Sequence, residues 1–270
     1  MKRILFLLAA LWITVPSFAT IQFPERLIVG NDTLSMFAYP LEYADSTMRM
    51  RLDARLKAAN APICSGCWRG YVGCWRLEEG QLWLEQLVSI DDEPLFTAAE
   101  LFPKRAEGGR VRASWFSGEI CYGRGEMVFV WDRCFYEEEW TASVKAGRVG
   151  QIRSFRNWVS KRDPSLQENV HLISKAFHDL GPVDSLPSPL LLSVRFVPDS
   201  TGRPVRIKRA RLTMGNVIIQ DFSDPLLQRA CKAFREASVW DVAWIHGEIH
   251  EYNVLLPLRR NEASSRKASE

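Results

Sequence analysis

Twenty residues from Cys64 to Trp83 hold three cysteines, three tryptophans and four glycines, and they are the natural place to look for chemistry. Cys64-Ser65-Gly66-Cys67 has the two-residue spacing of a redox-active dithiol, and Arg69 would be the cation that lowers a thiol pKa. Redox pairs of this type open a helix after a strand, whereas this one leads into a strand. A zinc site needs four ligands. Cys64, Cys67 and Cys74 supply three, and no histidine occurs before His171 to complete them. The expectation is therefore structural disulfides drawn from Cys64, Cys67, Cys74, Cys121 and Cys134, with one of these five left over or bridged to Cys231. Cys231 lies on an apolar helical face and reads as a buried thiol. Six cysteines allow about fifteen connectivities, so the pairing stays open.

Trp68, Trp75, Trp83, Trp115, Trp131 and Trp140 could build a platform for a sugar or peptide, using their flat faces and polar edge. Large aromatics at strand positions more commonly fill a β core. Within this set Trp68, Arg69, Tyr71 and Trp75 are the candidate binding residues. Glu137-Glu138-Glu139 does not suggest a glycosidase pair, because neighbours on a strand point to opposite faces, and a solvated strand is expected. His246 and His250 fall in a hairpin around Gly247 and are not expected to share a metal. Arg203, Arg206, Lys208, Arg209 and Arg211 make a basic strand; Arg206 and Lys208 are candidate contacts for a partner, against the simpler role of charges that discourage edge aggregation. No nucleophile elbow, phosphate-cradling loop or zinc-protease helix occurs. No catalytic residue, metal or cofactor is implied, and the chain reads as non-enzymatic.

The elements that must position these residues follow from pattern. Lys2-Arg3, an apolar run from Ile4 to Val15, and Ser17-Phe18-Ala19 form a signal peptide over 1–19, too short for a membrane span. Loss of Lys2 and Arg3 with it lowers the formal charge from +3 to +1, which gives no general attraction to nucleic acid. An exported chain with 47% hydrophobic and 11% aromatic residues can bury ordinary cores, with disulfides as supplements.

From 20 to 157 the expected module is mostly β. It opens with a hairpin around Gly30-Asn31-Asp32, followed by an amphipathic helix from Asp45 to about Ala59. Strands are then expected at Trp68–Leu77 and Leu82–Ile90, a short helix at Thr97–Phe102, and an antiparallel meander broken at Gly123-Arg124-Gly125. Residues 158–189 read as an amphipathic helix, Leu166 to Leu180, and a Pro-containing linker. In 190–258 two strands are followed by a helix capped near Asp224 and a closing strand from Glu248 to Leu258. Residues 259–270 read as a disordered tail. The fold class is α+β, a mostly antiparallel β module plus a small ββαβ module.

That last module resembles the carboxy-terminal domain of the TonB energy-transducer family. The resemblance rests on Leu192-Ser193-Val194-Arg195-Phe196-Val197, the turn Asp199-Ser200-Thr201-Gly202, the helix from Asp224 to Ala237, Trp240 and Trp244, and Asn253-Val254-Leu255-Leu256-Pro257-Leu258. The family's Trp-x-Pro-Gly passage stands here as Trp240-Asp241-Val242-Ala243-Trp244. The resemblance implies a periplasmic module that binds a protein partner, often by adding a strand to a sheet edge. Energy transduction is not implied, because that needs an uncleaved membrane helix and a long Pro-rich spacer. The first module is similar to uncharacterised bacterial envelope proteins through Gly66-Cys67-Trp68-Arg69-Gly70-Tyr71. The expected protein is thus periplasmic, disulfide-stabilised and engaged with an envelope protein; a thiol-disulfide enzyme using Cys64 and Cys67, or an aromatic-lined glycan- or peptide-binding module, are the alternatives.

Overall fold

A computed structural model describes residues 21–130, 133–181 and 186–258. The expected signal peptide, the tail, Trp131 and residues 182–185 of the linker lie outside them. The fold is α+β with mostly antiparallel sheets. No described helix is long and apolar enough to cross a membrane. The described residues divide into two compact units, the first holding 21–124, 130, 133–134 and 140–154, the second 125–129, 135–139, 155–181 and 186–258.

In the first unit β1 (Glu25–Val29) and β2 (Asp32–Met36) form the expected hairpin, with Val29 opposite Asp32. Helix α1 (Ser46–Ala58) starts at Asp45, whose side chain accepts from the Met48 N–H. It ends in a Schellman turn at Asn60 (φ 49°), where the Asn60 N–H reaches Lys57 O and the Ala61 N–H reaches Leu56 O. Strand β3 (Val72–Glu78) lies parallel to β1 and antiparallel to β4 (Gln81–Val88). A parallel pair requires a crossover rather than a tight turn, and α1 is carried in that connection.

After β4 come β5 (Pro94–Thr97), α2 (Ala98–Leu101, with a Thr97–Glu100 capping box), β6 (Ala106–Glu107) and β7 (Arg110–Arg112). The long strands β8 (Gly118–Val130), β9 (Cys134–Lys145) and β10 (Arg148–Arg156) follow. The sheet order β10-β9-β8-β2-β1-β3-β4 returns on itself where Arg148 pairs with Gln81, closing a ring of strands. Leu27, Leu34, Met36, Trp75, Leu82, Leu84, Ile120 and Val144 are buried in this unit's core. The break expected at Gly123–Gly125 is absent. Gly123 pairs with Ser35 of β2, and Arg124 binds Asp32 at 2.5 Å, so cross-strand partners hold the strand through its glycines.

In the second unit β11 (Trp158–Ser160) pairs with β15 (Val242–Ile245), which forms a hairpin with β16 (Glu248–Ile249). A separate antiparallel sheet has the order β14-β13-β12-β17, with β12 (Leu190–Pro198), β13 (Pro204–Met214), β14 (Val217–Ile219) and β17 (Tyr252–Pro257). Helices α3 (Leu166–Asp179) and α4 (Pro225–Ala237) pack together, and Ile173, Phe177, Leu227 and Phe234 share a core with Leu192, Val194, Phe196 and Leu212. The helix expected to belong with a linker is therefore part of this core. The single closing strand expected from Glu248 to Leu258 is two strands in two sheets.

Candidate functional site

Glu25 opens β1 and is fully buried. Because Arg26 pairs with Cys74 and Leu27 with Trp75 in the parallel β1–β3 register, Glu25 arrives beside Gly73 and the Trp75 indole. The Trp75 Nε1–H donates to Glu25 Oε2. Gly73 is required by close approach, since a Cβ there would lie 2.3 Å from that carboxylate oxygen and 2.6 Å from the indole nitrogen. Burial raises the Glu25 carboxyl from its ordinary 4.5 to about 7, and Glu42 pushes the same way, against Arg69, Trp75 and the Gly73 amide.

Arg69 is the cation facing this acid, its Nε 3.8 Å from Glu25 Oε1. Its side chain is only 2% exposed. Nη2 donates to Phe23 O at 3.0 Å, and the guanidinium lies over the Tyr39 ring, 3.9 Å from its centroid. Arg69 Nε, Arg69 Nη1 and Glu25 Oε1 have no hydrogen-bond partner among the described residues. Burial raises the Tyr39 and Tyr71 phenols, so both remain neutral at physiological pH.

The turn that presents Arg69 is closed by backbone bonds between Cys64 and Cys67, at 3.0 and 3.4 Å, and by Gly70 N–H to Cys67 O at 3.1 Å. Gly70 takes φ 73°, a conformation open to glycine. This turn places successive side chains oppositely, with Trp68 56% exposed and Arg69 7%. A cleft of about 710 Å³ lies between the turn and α1. Leu41, Leu52, Leu56, Ile63, Trp68 and Tyr71 give it apolar walls; Arg49, Lys57 and Arg69 line it with cations, and Glu42 and Asp53 with acids. The helical members recur at positions 49, 52, 53, 56 and 57, one face of α1.

Three of the four candidate residues of the first module, Trp68, Arg69 and Tyr71, thus meet at one cleft, while Trp75 is a core residue that holds Glu25. The other tryptophans are dispersed. Trp83 lies under Arg110, Trp115 donates to Pro40 O at 2.9 Å, and Trp140 stacks on Tyr122.

Cys64, Cys67, Cys74, Cys134 and Cys231 stand as thiols in the structure. Cys67 Sγ–H donates to Tyr71 O at 3.2 Å, and Cys121 Sγ accepts from Arg133 at 3.3 Å. Burial raises the thiol pKa of Cys67, Cys74, Cys134 and Cys231. A nucleophilic thiol needs the opposite shift.

The second unit holds a polar network that sequence reasoning missed. Glu139 is fully buried, correcting the expectation of a solvated Glu137–Glu139 strand. Its Oε2 accepts from Asn157 Nδ2 at 2.9 Å and lies 2.7 Å from His246 Nε2; its Oε1 accepts from the Tyr136 N–H at 3.2 Å. Asn157 also donates to Tyr136 O and accepts from the His246 N–H, and Phe155 stacks on the imidazole at 4.5 Å. His246 sits at φ 53° in the β15–β16 turn. Such a network fixes the turn.

On β13 a bulge between the Arg195–Arg209 and Phe196–Ile207 pairs absorbs Lys208. Ala210, Leu212 and Ile207 pack in the core, so Arg206, Arg209 and Arg211 lie on the other face. Lys208 is not free, because Glu251 binds it together with Arg195. Arg206, Arg209 and Arg211 form no ion pair among the described residues. Strand β14 pairs with Leu212–Met214, and among the described residues the outer edge of β13 from Pro204 to Arg211 has no strand partner.

In comparisons with protein-family models, curated proteins and solved structures, nothing matches this chain.

Proposed function

We propose that this is an exported, non-enzymatic protein of the bacterial cell envelope whose second unit makes a protein contact. The observation that carries the proposal is the open edge of β13 with Arg206, Arg209 and Arg211 beside it. An acidic, extended segment of a partner fits this surface. Its backbone would pair with the unused N–H and C=O groups of β13, and its carboxylates would meet the guanidinium groups. The TonB-carboxy-terminal-like ββαβ reading of residues 190–258 belongs to the same proposal. It is supported by the order of β12, β13, α4 and β17, with α4 packed on the sheet they form.

The test uses the full chain and an Arg206→Glu/Arg209→Glu/Arg211→Glu variant, altered only on the sheet's outer face. Envelope proteins captured by the parent should be lost from the variant, and lost by the parent itself at about 1 M salt, where charges are screened beyond about 3 Å. Identical capture by both proteins removes the proposed contact.

A thiol-disulfide role for Cys64 and Cys67 is the weaker reading because the Cys67 thiol is buried and its pKa raised. Reduction of insulin disulfides by the parent, lost in Cys64→Ser, would reverse that order.

A further inference from the structure

We propose that Cys64 and Cys67 close a reversible disulfide with each other, and that this bond latches the turn on which Gln22, Phe23 and Arg69 are held. The pairing is argued from the backbone. Cys64 and Cys67 stand directly opposite each other in an isolated antiparallel bridge and exchange both N–H···O bonds, at 3.4 and 3.0 Å. Residues paired in this way lie about 5.5 Å apart at Cα, inside the span of about 4.4–6.8 Å that a disulfide bridges, and their side chains leave the same side of the ladder. The sulfurs also sense each other. Burial raises the Cys67 thiol, Arg69 and the Tyr71 and Gly70 amides oppose it, and the Cys64 sulfur adds to the rise. Cys74, next in the chain, is engaged elsewhere, packed with Val72 and Val88 and with its thiol at the Gln86 side chain. The segment that leads into β1 depends on this turn. The Gln22 side-chain amide donates to Ser65 O at 2.9 Å and the Phe23 N–H to Gly66 O at 2.7 Å, while Arg69 Nη2 returns to Phe23 O at 3.0 Å. A Cβ on Gly66 would stand 3.1 Å from the Phe23 ring, so ring and turn are in close contact. Closing the loop between Cys64 and Cys67 removes open conformations of the turn and so holds these contacts.

The two thiols differ in access, which sets the order of the chemistry. Cys64 is partly exposed and meets the oxidant, an external disulfide RSSR; Cys67 is fully buried and reacts only with its neighbour. The Cys64 thiolate attacks one sulfur of RSSR, forming Cys64–S–SR and releasing RS⁻. The Cys67 thiolate then attacks the Cys64 sulfur, the Cys64–Cys67 bond forms, and a second RS⁻ leaves. The two thiol protons end on the two departing thiolates, so two cysteines are oxidised and one external disulfide is reduced to two thiols. Oxidation takes away the S–H that Cys67 donates to Tyr71 O, a weak bond. A buried thiol with a raised pKa slows the second step, which suits a latch and not a catalyst of disulfide exchange.

The experiment treats the reduced, folded full chain with excess glutathione disulfide, quenches with acid, alkylates the remaining thiols and maps tryptic peptides without reduction. The peptide from Ala58 to Arg69 carries Cys64 and Cys67 and no other cysteine. It should appear lighter by two hydrogens and unalkylated, and dithiothreitol should restore both alkylation sites. Cys67→Ser should stall with glutathione bound at Cys64, and Cys64→Ser should leave Cys67 unmodified. In the oxidised parent the Phe23 amide should exchange with deuterium at least about tenfold more slowly than in the reduced parent. The pairing is overturned if both cysteines of this peptide remain alkylated after oxidation, or if either is found linked to another cysteine. Glutathione collecting on Cys67 in the Cys64→Ser variant overturns the order of attack. Equal Phe23 exchange in the two redox states overturns the latch.

Discussion

Glu25→Gln should remove a pH dependence of stability that the parent protein carries between pH 4.5 and about 7. In the folded chain burial raises this carboxyl to about 7, whereas in the unfolded chain it titrates near its ordinary 4.5. Between those values the folded state holds a proton that the unfolded state has released, so stability falls as pH rises. The contribution is fully present below 4.5 and is lost once pH passes about 7. A shift of this size corresponds to about 3 kcal/mol. Arg69, Trp75 and the Gly73 amide favour the ionised form and Glu42 disfavours it, and burial outweighs the three stabilising partners. Glutamine keeps an acceptor for the Trp75 indole and cannot ionise. Urea unfolding of both proteins at several pH values, plotted as the difference in free energy, cancels the groups common to them. The parent should lose about 3 kcal/mol relative to the variant across the window. Parallel curves, or a parent that gains on the variant as pH rises, would refute the reasoning. The latter would mean that attraction to Arg69 exceeds the cost of burial.

Four further outcomes follow from the packing. Gly73→Ala should destabilise by about 2–4 kcal/mol, because its Cβ would displace the buried Glu25–Trp75 bond. Gly80→Ala, at φ 68° with open space around it, should cost only about 1 kcal/mol in the same denaturant titration. Asn157→Ala should cost about 2–3 kcal/mol, since it strips partners from Glu139, Tyr136 O and the His246 N–H at once; an effect below about 0.5 kcal/mol would show the network to be idle. Asp224→Ala removes the side chain that accepts from the Leu226 and Leu227 N–H groups at the start of α4. A loss of about 1 kcal/mol in unfolding free energy is expected, and Asp224→Asn should retain most of it.

Much of the fold is legible in local sequence. The Gly30-Asn31-Asp32 turn, the Asp45 cap of α1, the Thr97 cap of α2 and the Asp224 cap of α4 are each carried by residues within one turn of one another. Helical stripes such as Val170, Ile173 and Phe177 likewise declare a buried face by spacing alone. Residues 123–125 misled because glycine marks a break only when no neighbouring strand completes the ladder, and β2 lies more than eighty residues earlier in the chain. The closing segment misled for a related reason. Glu248–Ile249 and Tyr252–Pro257 are each extended, and only their different partners, β15 and β12, separate them.

The candidate sites divide along the same line. The sequence by itself singles out Trp68, Arg69 and Tyr71 by type and proximity, and Arg206 and Lys208 by their basic strand. It does not show that α1 supplies the opposite wall of the cleft, or that Glu251 occupies Lys208 and leaves Arg206 available. Least of all does it distinguish Glu25 from any other strand acid, or Glu139 from its neighbours Glu137 and Glu138. Caps and amphipathic stripes depend on nearest neighbours and are written in order along the chain. The burial of a charge depends on which distant groups the tertiary structure places around it, here Trp75 and Arg69 around Glu25, and Asn157 and His246 around Glu139.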